Sequence, residues 1–183
     1  MKIILGFVGD LAAGKGTLAK YLHEKYGSNT YRFSNMLRDM LDRIYVKKTR
    51  ENLQNISTFI RAEFGQDVMS KVLAKDVEND AGEIVIVDGI RRPTDITYLR
   101  ELSGFHLVYV TAESKLRYER LVARKENPGD ENKSYEEFLK DEQSEADQLI
   151  ASLGAQAEYT IVNDGDKESL FEKIEKIIGE IKK

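Results

Sequence analysis

The chain has 183 residues, 41% of them hydrophobic and 33% charged, with a formal net charge of −4. That length holds one domain with a full core, and the absence of cysteine excludes a disulfide framework, a thiolate metal site and a cysteine nucleophile. The acidic balance argues against whole-molecule attraction to nucleic acid, and two distant histidines, His23 and His106, argue against a histidine metal site.

The first apolar run, residues 3–8, stops at Gly9-Asp10. It is too short for a secretory signal or a bilayer span, so a cytoplasmic location is expected, and it reads as a buried strand. Gly9-Asp10-Leu11-Ala12-Ala13-Gly14-Lys15-Gly16-Thr17 follows it and opens a helical period on Leu18, Leu22 and Tyr26. The pattern G-x-x-x-x-G-K is met, with Gly16 in the next position and the hydroxyl delayed to Thr17. Glycines let successive N–H groups face one concavity, the helix N-terminus adds positive potential, and Lys15 supplies a point charge. This is the signature of a phosphate-binding loop. A dinucleotide fingerprint fails because Leu11 stands where its second glycine belongs.

The second β-branched run, residues 30–33, leads into Ser34-Asn35. Residues 34–80 contain no convincing strand; their apolar spacing predicts two or three helices, with Thr49 capping the second and Gly65 ending it. Met36, Met40 and Met69 read as their core. The block is too large for an ordinary crossover and is expected over one side of the sheet's carboxyl edge. Ile84-Val85-Ile86-Val87 is apolar on both faces, as a strand covered on each side should be, and runs into Asp88-Gly89-Ile90-Arg91-Arg92. Residues 107–110 form the fourth run. Arg120 and Arg124 are i,i+4 neighbours on the next helix, where Arg117 reads as a further surface residue. Residues 126–134, with Pro128-Gly129, read as an exposed, mobile break between helices. The fifth run is 159–162, and Leu170, Ile174, Ile177, Ile178 and Ile181 stripe the last helix. The order predicts an α/β sandwich on five parallel strands.

Gly14-Lys15-Gly16-Thr17 resembles the loop of adenylate kinases and other nucleoside monophosphate kinases. Ser34-Asn35-Met36-Leu37-Arg38 resembles the family segment whose arginine holds the acceptor phosphate. Asp88-Gly89-Ile90-Arg91-Arg92 resembles D-G-F-P-R, with Arg92 as the second acceptor arginine, and Arg120 and Arg124 resemble the pair that opens the lid and contacts the donor. The Arg50-Glu51-Asn52-Leu53-Gln54 segment is similar to that of a small adenylate-kinase-like group of uncertain substrate. Residues 50–61 also resemble deoxynucleoside monophosphate kinases, and residues 157–165 resemble dephospho-coenzyme A kinase. In contrast to the family, the lid is short, and Lys140 is the sole basic residue in LKDEQSEAD just beyond it.

The resemblance implies a P-loop three-layer sandwich of residues 1–183, with a helical acceptor-binding insertion at 34–80 and a short lid at 125–134. It implies a kinase using ATP and Mg²⁺ on a small phosphorylated acceptor, with no membrane or nucleic-acid partner, and monomeric unless a dimer forms. Lys15, Arg38, Asp88, Arg92, Arg120 and Arg124 would carry catalysis. Gly9, Asp10, Ala12, Ala13, Gly14, Lys15, Gly16, Thr17, Leu18, Arg120 and Asn163 would hold the donor; Ser34, Arg38, Gln54 and Arg92 the acceptor. Thr17 and Asp88 would face magnesium, partly through water.

Each role has a plainer competitor. Asp88 could be a turn residue, Arg38 an ordinary surface arginine and Arg92 a solubilising one, with Arg91 in its place. Arg120 and Arg124 could pair with Glu113 and Glu119. Asn163 could meet the adenine or make a turn with Gly165, and Gln54 and Asn52 could be simple helix residues. Dephospho-coenzyme A kinase, or another hydroxyl-directed kinase, needs a carboxylate base near the second strand; Asp10 and Asp39 are the candidates. A nucleotide-dependent ATPase or switch is a third reading.

Overall fold

The computed structural model describes residues 2–124, 130–142 and 145–183. Its elements are β1 (Ile3–Gly9), α1 (Lys15–Tyr26), β2 (Asn29–Arg32), α2 (Phe33–Arg43), α3 (Arg50–Phe64), α4 (Val68–Asn79), β3 (Ile84–Ile90), β4 (Phe105–Thr111), α5 (Ser114–Arg124), α6 (Tyr135–Glu142), α7 (Glu145–Gly154), β5 (Tyr159–Val162) and α8 (Lys167–Ile181). The strands form one parallel sheet in the order β2-β3-β1-β4-β5.

Strand pleating sorts the apolar runs into two cores. Ile3, Leu5 and Phe7 of β1 and Ile84 and Ile86 of β3 face one side, where Leu18 and Leu22 of α1 and the α8 stripe cover them. Ile4 and Val8, with Val85 and Val87, face the other side and pack on Leu73 and Val77 of α4 and Leu153 of α7. The result is a three-layer α/β sandwich, as its order of elements predicts.

The 34–80 block resolves into α2, α3 and α4. Thr49 Oγ1 accepts from the Asn52 N–H to cap α3, and the Gly65 N–H donates to the Arg61 carbonyl at its end. The last of these helices covers the sheet between β2 and β3, so part of the block does serve as a crossover. Only Met69 of the three methionines is fully core. Met36 is half-buried, and Met40 is 37% exposed, lining an apolar groove with Phe64 and Val72. Leu37 and Leu41 take the inward face of α2, which leaves Met40 on its flank.

Two more expectations are corrected. Arg117 is no surface residue: it is 7% exposed. Within 126–134, Pro128 and Gly129 lie outside the described residues, but Asp130 is buried rather than exposed, and the Tyr118 hydroxyl donates to the Lys133 carbonyl. No helix among the described residues is long and apolar enough to cross a membrane.

Candidate functional site

The carboxyl ends of all five strands meet along one edge, where open parallel sheets take ligands. β1 runs into the glycine loop, β2 ends at Arg32, Asp88 lies near the end of β3, β4 ends at Thr111, and Asn163 follows β5. The loop's shape is enforced from behind. Gly9 has φ +154, and a Cβ there would stand 2.0 Å from the Val110 carbonyl oxygen of β4. Gly14 has φ +111, and its Cβ would meet Asn163 Nδ2 at 2.4 Å. Both positions therefore demand glycine for space as well as conformation.

Asn163 is 5% exposed and donates its side-chain amide to the Ala13 carbonyl at 2.8 Å, so its polar head is committed to the back of the loop. Its own carbonyl accepts from Arg120 Nη1 at 2.8 Å, and Gly165's accepts from Nη2 at 3.3 Å; Arg120 thus ties α5 to the turn after β5 instead of pairing with Glu113 or Glu119. Arg124 is exposed at the end of α5. Arg117, expected at the surface, instead braces the loop from α5. It donates to the Ala112 carbonyl at 2.8 Å and the Leu11 carbonyl at 3.4 Å, pairs with Glu142 of α6, and lies over the Phe138 ring. A helical signal for it existed: Arg117 sits one turn before Leu121, the other buried residue of α5.

Lys15 Nζ donates back to the Gly9 and Asp10 carbonyls at 2.6 and 2.8 Å, holding its charge over the loop. Asp10 Oδ2 accepts from the Thr111 hydroxyl at 2.6 Å and the Tyr109 hydroxyl at 3.3 Å. Burial pushes the Tyr109 hydroxyl above its ordinary pKa, and the Asp10 charge adds to this against the opposing Thr111 hydrogen bond. Tyr109 therefore stays a neutral donor at physiological pH. Thr17 is half-buried in the first turn of α1, one residue past Gly16, with Leu18 turned into the core; Ala12 holds φ +59.

On the other half of the edge, Asp88 is 9% exposed. Its Oδ1 accepts from the Gly89 N–H at 2.8 Å and its Oδ2 from Arg32 Nε at 3.0 Å. Arg32 was missed because Asp88 becomes its neighbour only through the β2–β3 register. Ser34 is half-buried at the start of α2, whereas Arg38 and Asp39 are exposed on it. Gln54 is exposed on α3, and the Asn52 amide donates to the Lys47 carbonyl at 2.8 Å.

Arg92 is half-buried and opens a short turn, Pro93–Ile96, that is pinned from below. Buried Asp95 accepts from the Arg91 and Arg92 N–H groups at 3.0 Å each and from Arg61 Nη2 of α3 at 2.9 Å. This pair, 34 residues apart in sequence, had no local signature. Hard oxygen donors from Thr17 and Asp88 suit magnesium, which takes one or two protein oxygens beside substrate phosphates and water.

The parallel sheet, the loop between β1 and α1, and the helical cover define a P-loop nucleotide-binding fold of the kinase type. The AAA-domain family model matches residues 8–139, and the chain belongs to that family. A UPF0200 protein of Sulfurisphaera tokodaii is 29% identical over 180 residues, covering 97% of each chain. Another, from Pyrococcus abyssi, is 29% identical over 98% of this chain and 97% of its own. Among solved structures, a shikimate kinase from Bacteroides thetaiotaomicron has TM-score 0.64 at 16% identity over 99% of both chains. A shikimate kinase from Acinetobacter baumannii, in complex with shikimate, has TM-score 0.54 at 19% identity over 98% and 94%. At such identities the likeness is one of fold.

Proposed function

We propose that the protein moves the γ-phosphoryl group of ATP to a ribo- or deoxynucleoside monophosphate, giving ADP and the diphosphate. The observation that carries this reading is the chemistry at the end of β2. An arginine stands there in place of an acid, and its guanidinium rests on Asp88. A hydroxyl acceptor has to lose a proton to a free carboxylate, whereas a phosphate acceptor arrives ionised and needs cations.

In this reading the glycine loop and Lys15 hold the donor phosphates, with Arg120 and Arg124 on the nucleotide side. Asn163 and Arg117 act on the donor indirectly, by fixing the loop. Arg38 and Arg92 clamp the acceptor phosphate from the 34–80 insertion and from the loop after β3, with Ser34 and Gln54 as lesser contacts. Thr17 and Asp88 would hold magnesium, which, when bound, neutralises charge on the donor phosphates. The 125–134 segment serves as a short lid.

A second reading, a hydroxyl-directed kinase, draws on two observations. The structural neighbours include shikimate kinases, and Asp39 lies exposed next to Arg38. A coupled assay of ADP release from Mg²⁺–ATP, run against a panel of nucleoside monophosphates, shikimate and dephospho-coenzyme A, separates them. Turnover with a monophosphate is expected; turnover confined to a hydroxyl acceptor would overturn the proposal.

A further inference from the structure

Arg32 has no part in the resemblance to known kinases, yet it joins the two segments that carry the proposed acceptor residues. It ends β2, immediately before the helix that carries Ser34 and Arg38, and its partner Asp88 lies in the segment that leads to Arg92. Its side chain is 47% exposed while that of Asp88 is 12% exposed. Only Nε is engaged, at 3.0 Å; among the described residues the two terminal amino groups make no hydrogen bond. Arg32 also lines an open cavity of about 450 Å³ with Asn35, Met36 and Asp39, so the side chain has room to move.

We propose that Arg32 is a third acceptor-binding residue, held by Asp88 until the acceptor's phosphate arrives and then transferred to it. This rests on the monophosphate reading above. A single-nitrogen ion pair so open to water is held weakly. A phosphate dianion offers the same guanidinium two charges and a two-pronged geometry, so the exchange runs towards the ligand. The move also frees Asp88 Oδ2, leaving that carboxylate available for the proposed magnesium role. Arg32 thus marks the substrate class as anionic at the end that meets the P-loop. It also keeps a nearly buried carboxylate compensated while the acceptor site is empty.

The test is calorimetric binding of AMP, GMP, CMP, UMP and dTMP to the full chain, Arg32→Gln and Arg32→Lys, alongside a non-hydrolysable ATP analogue with magnesium. Melting temperatures of both variants check that each is folded at the temperature of the binding measurement, since Arg32→Gln leaves the nearly buried Asp88 without its cation. The expected result is that the best-bound monophosphate loses about tenfold or more in affinity with Arg32→Gln and less with Arg32→Lys, while the ATP analogue changes less than threefold. If the parent binds a monophosphate and Arg32→Gln binds it within twofold, the Arg32 role is overturned and the monophosphate reading survives. Equal weakening of donor and acceptor would overturn it too, by assigning Arg32 to holding Asp88 in place. If the parent binds none of the five, the monophosphate reading falls and the Arg32 role with it.

Discussion

The two halves of the cleft are built to different standards. On the proposed donor half, Asn163, Arg120 and Arg117 donate to carbonyls of the loop and the adjoining strand ends, Arg117 also pairing with Glu142, and two of the three are buried. On the proposed acceptor half, Arg38 is exposed, Arg32 hydrogen-bonds through one nitrogen, and Asp95 holds the backbone N–H groups of Arg91 and Arg92. A loop preorganised for phosphate lowers the cost of binding the donor. Loosely held cations suit a site completed by its substrate. Substitutions on the donor half should therefore cost both stability and turnover, and those on the acceptor half turnover alone.

The largest effect belongs to Lys15. Lys15→Ala is expected to fold and to lose about 10²–10⁴-fold in turnover, since in the proposed reaction the lysine charge would act on the transferring phosphoryl group. Steady-state kinetics within threefold of the parent would remove the loop from the chemistry. Next comes Asn163→Leu, which strands the Ala13 carbonyl and crowds Gly14. A buried acceptor left without its donor costs about 1–3 kcal/mol, to be read by denaturant unfolding. The ATP analogue should bind correspondingly weaker while the acceptor's KM stays put; a shift confined to the acceptor would invert the comparison.

Arg38→Ala and Arg92→Ala test the other half. Each should lower acceptor kcat/KM by about tenfold or more and barely alter donor binding. Arg38→Ala should also leave the melting temperature unchanged, because the residue is exposed. Neither Asp10→Asn nor Asp39→Asn should behave as loss of a base. A kcat dominated by either aspartate, with near-normal arginine variants, would sink the monophosphate assignment.

What was legible in the sequence follows the same division. Strands buried on both faces write themselves as unbroken apolar runs, so Ile84-Val85-Ile86-Val87 and the run at 3–8 were readable, as was the glycine loop. The edge strands β2 and β5 are shorter and partly exposed, and their place in the alternating order of elements made them legible. Contacts made by topology were not. Arg32 meets Asp88 only once β2 is laid beside β3, and Arg61 reaches Asp95 only when α3 is folded over the turn after β3. Arg117 was misread because an arginine is ordinarily a surface residue; its burial depends on Glu142 and Phe138 arriving from α6. Met40 failed in the opposite sense, an apolar residue on the flank of α2 that stays 37% exposed beside a groove shared with α3 and α4.

The smallest effect lies at the sheet's opposite edge and serves as the control for both halves. There Asp80 accepts from Asn29 Nδ2 and the Tyr31 hydroxyl at 2.7 Å each and from the Gly82 N–H at 2.6 Å, joining the start of β2 to the turn before β3. Burial alone would raise its pKa, but these donors and the charge of Lys2 outweigh burial and hold the carboxyl below its ordinary value. The same carboxylate, after burial, keeps the Tyr31 hydroxyl pushed up to about 12, so that it remains a donor throughout the neutral range. A carboxyl with a depressed folded pKa stabilises the protein above its unfolded pKa of about 3.9, and that contribution is lost as pH falls through the lower folded value. Asp80→Asn should therefore melt on the order of 2–4 °C lower at pH 7, with the gap closing on acidification below about pH 4. A gap unchanged from pH 7 to pH 3 would mean that the hydrogen bonds do not depend on the charge. Kinetic constants for both substrates should match the parent at pH 7, since Asp80 lies at the amino edge and its side chain hydrogen-bonds Asn29, Tyr31 and Gly82 rather than any proposed site residue. If kcat moved while stability did not, the division between a structural edge and a chemical edge would be wrong for this sheet.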